Sequence, residues 1–248
     1  TGAGGSITLG ATLAGALSTG AELTTNGQVI RFARAVTLTD DVTLDSAGGL
    51  IDFDDAATVN DDAAGGAGEW DLTIAAGAGD VTFGDAAGAG VGRIGGTLAI
   101  ADLTIGGVGV TFFSNTAAAA AGNVDINATG AVDINGTVTT TGAVGFASDG
   151  TTFDNTGGAI DTSGGAGGIT INHSGAVTVA AGLTSGAGAV NIDSTGATAA
   201  VSAPVATTTG AVTIDSASGT TLSDAGDITT TGAGGSITLG ATLAGALS

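Results

Sequence analysis

Short runs in which every second residue is apolar punctuate the chain, and nearly every run is announced by a glycine. The pattern is Gly, any residue, Val or Ile, any residue, then an apolar residue. It reads GSITL from Gly5, GLIDF from Gly49, GDVTF from Gly79, GNVDI from Gly122, GAVDI from Gly130 and GAVGF from Gly142. It returns as GGITI from Gly167, GAVTV from Gly175, GAVNI from Gly188, GAVTI from Gly210 and GSITL from Gly235. A turn glycine followed by strict alternation predicts a short strand with one buried face. Val124 and Ile126 are then expected inward, with Asn123 and Asp125 outward; Val212 and Ile214 repeat the arrangement.

The spacing of these runs takes two values. Gly122 and Gly130, or Gly167 and Gly175, are 8 apart; Gly122 and Gly142, or Gly188 and Gly210, are 20 to 22 apart. The longer value predicts one coil of a solenoid and the shorter one two strands within a coil. Two or three short strands per coil joined by glycine-rich corners make a right-handed parallel β-helix, an all-β fold. At about 20 residues per coil, a 230-residue stretch is expected to make about 11 or 12 coils. Strands about 4.8 Å apart then give an advance of about 55 Å.

A longer period lies over the short one. Residues 1–18 and 231–248 are the same eighteen letters, TGAGGSITLGATLAGALS. Residues 1–230 therefore read as one tandem unit and 231–248 as the start of the next, within a single continuous solenoid segment 1–248. Solenoids shield their open edges with capping elements. Neither end shows an amphipathic helix, so uncapped ends covered by the next copy are expected, and such contacts do not close but grow fibres.

Composition narrows the picture. Gly supplies 48 of 248 residues, Pro one (Pro204), and Cys, Met, Tyr and Lys none. Few bulky groups are available, so a core must be narrow, and stacked Val, Ile, Leu and Ala in a solenoid meet that limit. Persistent β-branched alternation argues against disorder. Net charge is −20, and three arginines (Arg31, Arg34, Arg93) cannot neutralise phosphates, which excludes nucleic acid as a partner. No run is long enough for a membrane span. Between residues 37 and 115 lie 13 of the 23 acids and the only Trp, so the first section is expected to have longer, less regular coils. Ala56 to Gly68 would bulge from one face.

Candidate chemistry is sparse. His173, the only histidine, follows GGITI in a predicted turn, where an exposed corner position is expected. A Ser-His-Asp arrangement needs partners that spacing alone does not reveal, and a lone His without Cys excludes a zinc site. Asp52, Asp54, Asp55, Asp61 and Asp62 crowd one acidic stretch and offer the oxygen ligands that calcium takes. The calcium-binding nonapeptide GGxGxD is not matched, because Gly65 to Asp71 reads GGAGEWD, and a solvated acidic face is the other reading. Trp70 is either a sugar platform or filler for a wide coil. Polysaccharide-active β-helix enzymes use paired acids with basic groups and aromatic platforms, which are scarce here. Outward Thr, Asn and Asp are expected to form ladders along the stack. Sequons stand at Asn127, Asn135 and Asn172.

The phrases DDVTLDSAGG, WDLTIAAGAGDVTF and GAVTI, within residues 35 to 88 and at Gly210, resemble the repeat regions of giant bacterial surface proteins related to filamentous haemagglutinin. The resemblance covers most of the chain. It implies a right-handed parallel β-helix, secretion across the outer membrane, and a non-catalytic role in adhesion, biofilm or cell-surface structure, outside the bacterial cell. Partners would be further copies end to end, with surface glycans or neighbouring fibres beside them. No cofactor is implied, calcium aside. Two other readings remain open: a calcium-dependent surface-layer or host-binding module, and a glycan-active β-helix enzyme.

Overall fold

The computed structural model describes residues 5–10, 17–54, 56–62, 68–84, 93–95, 98–112 and 119–240. They form a β-solenoid with no helix, in which every strand pairing is parallel. Each coil lays one short strand on each of three faces. The first face is a ten-stranded stack that runs from Ile7–Leu9 through Ile30–Phe32, Ile51–Phe53 and Val81–Phe83 to Thr220–Leu222. The second face runs from Leu17–Thr19 through Val36–Leu38 to Ile228–Thr230. The third runs from Leu23–Thr24 through Val42–Asp45 to Ile237–Leu239. Strand Ala119–Ala128 turns a corner without breaking. Its first part pairs on the second face and its last part on the third, which fuses these two stacks into one bent sheet.

Coils are longer than the sequence spacing predicts. An ordinary step on the first face runs from Ile30 to Ile51, or from Phe153 to Val177. Two steps are much longer, from Ile51 to Val81 and from Val81 to Val110. The extra residues lie between strands, and the faces stay in register. Thr58–Asp61, expected within a bulge, is a strand of the second face paired with Val36–Leu38. Residues 63–67 of that segment lie outside the described residues.

The interior is built of columns of apolar side chains, two to a face along much of the rod. Ile30, Ile51, Val81, Val110 and Val132 stack along the first face, and Val124, Ile169, Val190 and Val212 along the third, all at most 1% exposed. Phe32, Phe53, Phe83 and Phe112 stack ring on ring with centroids 4.8, 4.8 and 4.4 Å apart, because parallel in-register strands repeat each position at the strand spacing.

The motif glycine has a steric cause. A Cβ at Gly188 would collide with the carbonyl oxygen of Gly167 in the coil beneath, and one at Gly210 with that of Gly188. Corners pack backbone on backbone, and only glycine fits. Beside these glycines stands an inward column of hydroxyls. Thr162 donates to the Gly167 carbonyl at 2.9 Å, Ser185 to that of Gly188 at 2.8 Å and Thr207 to that of Gly210 at 2.6 Å. Each bond satisfies a corner carbonyl that is removed from water.

GAVGF departs from its expected register. Val144 is 67% exposed, and Phe146 takes the first inward place above Val124. Asn123 Oδ1 accepts the N–H groups of both Val144 and Gly145, and Gly145 adopts φ +88°, which swings Val144 out before the strand begins.

Candidate functional site

Outward positions form polar columns up the solenoid. On the corner that enters the third face, Asp41 Oδ1 accepts the N–H of Asp71 at 2.9 Å and Asp71 Oδ1 that of Asp102 at 3.0 Å. Asp102 Oδ1 in turn accepts both the N–H and the side-chain amide of Asn123, at 3.0 and 2.8 Å. Asp80 does the same for Gly109 on the first face. Each carboxylate thus ties one coil to the next through a backbone N–H of the following coil. A second column, on the third face, sets Asn127, Asp149, Asn172, Asp193 and Asp215 in successive register. Asn172 donates to Asp149 at 2.9 Å. Crowding has an electrostatic cost: burial, reinforced by Asp215, raises the Asp193 carboxyl above its ordinary range, and burial with neighbouring Asp154 does so at Asp133.

The five acids expected as calcium ligands do not form one site. Asp52 and Asp54 lie on the first face, where Arg31 Nε reaches Asp54 Oδ1 at 2.6 Å and Asp52 Oδ2 at 3.4 Å, and where Thr82 donates to Asp52 at 2.6 Å. Asp61 and Asp62 stand at the end of a second-face strand with Glu69, and one carboxylate oxygen of each lies within 4.8 Å of the others. Sequence reasoning missed Glu69, which stands eight residues beyond Asp61 in the chain. Asp61 Oδ2 also accepts the N–H of Glu69 at 2.6 Å, and Asp62 Oδ1 the indole N–H of Trp70 at 3.2 Å. Asp55 lies outside the described residues.

His173 is not an exposed corner residue. It ends strand Gly168–His173, points inward and is fully buried. Room for the ring exists because its neighbour in register is Gly150, where a Cβ would lie 2.9 Å from His173 Cε1. Its Nε2 lies 3.1 Å from Ser148 Oγ, and its ring tilts against Phe153 at 5.5 Å. Nδ1 has no partner. An unprotonated Nδ1 leaves no buried donor unmet, which favours Nε2–H donating to Ser148. Burial lowers its pKa to about 4, against a smaller opposing effect of Asp149. Serine and histidine are thus paired, yet no acid orients Nδ1 and both side chains are sealed in the core, so the arrangement lacks the geometry of a hydrolytic triad.

A shallow groove of about 340 Å³ runs along the corner between the third and first faces, past Thr129, Asp149, Thr151, Asn172, Ser174 and Thr195. Its walls are hydroxyls, amide and carboxylate without an aromatic platform. Asn127 and Asn172, both sequon residues, are exposed, and Asn135 is half-buried. Trp70 is partly buried against the core rather than standing free.

The fold places the chain among β-solenoids with tandem-repeat character. Comparison with known protein families, with curated proteins and with solved structures finds no match.

Proposed function

We propose that this chain is a structural repeat of a long extracellular bacterial fibre, sheath or adhesin, and that its work is mechanical rather than catalytic. One observation carries the reading. The second copy of the repeat text, at Ile237–Leu239, is seated in register on strand Val212–Ser216, so the start of a new unit continues the stack of the old one. A unit whose beginning prolongs its own end builds a rod, and rods with polar ladders outside and a dry column inside suit a surface fibre. Secretion and adhesion follow from the resemblance to filamentous haemagglutinin-like repeats. Immunogold labelling of intact cells with antibody against this segment tests the reading: label on long surface filaments supports it, and label confined to the cell interior refutes it.

A calcium-dependent binding module is the other reading, and the Asp61, Asp62 and Glu69 group is the observation behind it. Melting with calcium and with chelator separates the two. A fibre repeat held by its coils melts alike in both, whereas a calcium module gains stability with the ion.

A further inference from the structure

The two copies of GSITLG occupy different faces. In the first, Ile7–Leu9 lies on the first face and pairs with Ile30–Phe32. In the second, Ile237–Leu239 lies on the third face and pairs through Val212↔Ile237, Thr213↔Thr238 and Ile214↔Leu239. Between them the chain completes nine coils, from Ile7 to Thr220 on the first face, and then two further faces. We infer that the 230-residue unit spans nine and two-thirds coils, so that in a tandem array each copy docks on the last one turned by one face of the three-sided rod. The inference rests on the reading of this chain as a stacked repeat.

Chain length enforces the fraction. Only Thr231 to Ser236 separate strand Ile228–Thr230 on the second face from Ile237–Leu239. Elsewhere, passage from the second face through the third to the first consumes far more: Thr207 to Thr220 includes two corners and strand Val212–Ser216. So short a link cannot hold another face, and the repeated text stops one face early. Its local structure is indifferent to which face receives it. Both copies form a three-residue strand followed by a glycine with positive φ, +88° at Gly10 and +64° at Gly240. At the junction Ile237 covers Val212 and Leu239 covers Ile214, apolar on apolar.

The partner that fits this edge is therefore a second copy of the same text, with its first-face strand on the third stack and its second-face strand, Leu17–Thr19, on the first. Three copies restore the starting orientation. At about 4.8 Å per coil, one unit advances about 46 Å, and the true repeat of the array, 29 coils, is about 140 Å. Every outward side-chain column, such as Asn127 to Asp193, is then shown in three directions around the fibre.

Engineered cysteines test the seating, and the native chain has none to confuse the result. Thr213 and Thr238 are in-register outward neighbours on adjacent strands, within the Cα separation that a disulfide spans. Thr221 lies on the first face, where Thr238 would find it if the unit held a whole number of coils. Under mild oxidation the double variant Thr213→Cys with Thr238→Cys is expected to cross-link almost completely, seen as a mobility shift on non-reducing gels and as the linked peptide by mass spectrometry. Thr221→Cys with Thr238→Cys is expected to stay reduced. The reverse outcome overturns the rotation and leaves stacking intact. Failure of both pairs in a folded chain, judged by circular dichroism, overturns the rotation and the stacked-repeat reading together.

Discussion

Two halves of one solenoid differ in the length of their coils and in what fills the core. The first half holds the two long coils, from Ile51 to Val81 and from Val81 to Val110. A stack of four phenylalanines fills its first face, and carboxylates relay from Asp41 to Asp71, Asp102 and Asn123 across the corners. From Gly122 onward the coils are shorter and nearly uniform, as from Val132 to Phe153 and from Phe153 to Val177. There aliphatic side chains largely replace the rings, while the glycine-on-carbonyl corner with a hydroxyl beside it, already present at Gly49 and Gly79 with Thr25 and Ser46, continues at Gly188 and Gly210 with Ser185 and Thr207. The contrast shows what a solenoid holds constant. The three faces and their strand spacing persist while corner length varies, because the faces are hydrogen-bonded as continuous ladders from coil to coil. A tight corner demands glycine and so yields a regular motif.

The largest test of that contrast is steric. Gly210→Val is expected to remove about 4 kcal/mol or more from the regular half, since its Cβ meets a backbone oxygen that cannot move without parting two coils. Gly164→Ala, whose nearest neighbour is the Thr141 methyl at 3.4 Å, is expected to change stability by less than about 0.5 kcal/mol. Urea midpoints of the two variants should differ accordingly, and equal midpoints would refute the close-approach account.

Next comes the aromatic stack. Phe83→Ala sits between Phe53 and Phe112 and is expected to cost about 3–5 kcal/mol, while Ile192→Val in the second half costs about 1 kcal/mol. Proteolysis after mild denaturation should then cut the first half of the Phe83 variant preferentially.

Acid titration separates His173 from the half-buried carboxylates. His173 is neutral when folded, with its pKa lowered to about 4 from 6.5, so the unfolded chain binds the extra proton first. Its contribution is complete above the unfolded value and is lost as pH falls toward about 4, at most about 3 kcal/mol. Asp52, Asp71, Asp133 and Asp193 act in the opposite sense. Their raised values mean the folded state takes up protons first, so stability is gained as pH falls through those values. In His173→Phe the loss should vanish and the gain remain. An unchanged pH profile would show that His173 titrates alike in the folded and the unfolded chain.

The smallest effects belong to the exterior. Asp102→Ala frees two donors of Asn123 and is expected to cost about 1–2 kcal/mol, with faster amide exchange at Asn123. Arg31→Ala breaks an exposed ion pair and is expected to leave the midpoint unchanged within error.

Much of the fold was legible in the text because the motif states its own physics. Alternation at Val124 and Ile126 marked an inward face, and the short and long motif spacings marked neighbouring strands and whole coils. The ladders of outward Asp and Asn were legible for the same reason. Coil number was not, since two loose corners lengthen the average and reduce 11 or 12 expected coils to nine and two-thirds. Val144 misled because an Asn side chain in the coil below decides where the strand begins. His173 misled because its burial depends on Gly150, a whole coil earlier in the chain and adjacent only after coiling. The acids misled in grouping: Asp52 and Asp62 are close in sequence, but the corner between them places them on separate faces.

Every strand pairs only with the coil before and the coil after it. Under tension along the axis, such a molecule has no contact that spans its length, and load passes through each coil in series. Pulled from its ends it should yield one coil at a time. Each ordinary coil would release about 75 Å of contour and each of the two long ones about 100 Å, at a nearly constant force. A solenoid of this kind would lengthen many-fold without a single catastrophic break and rewind from whichever coils stay closed.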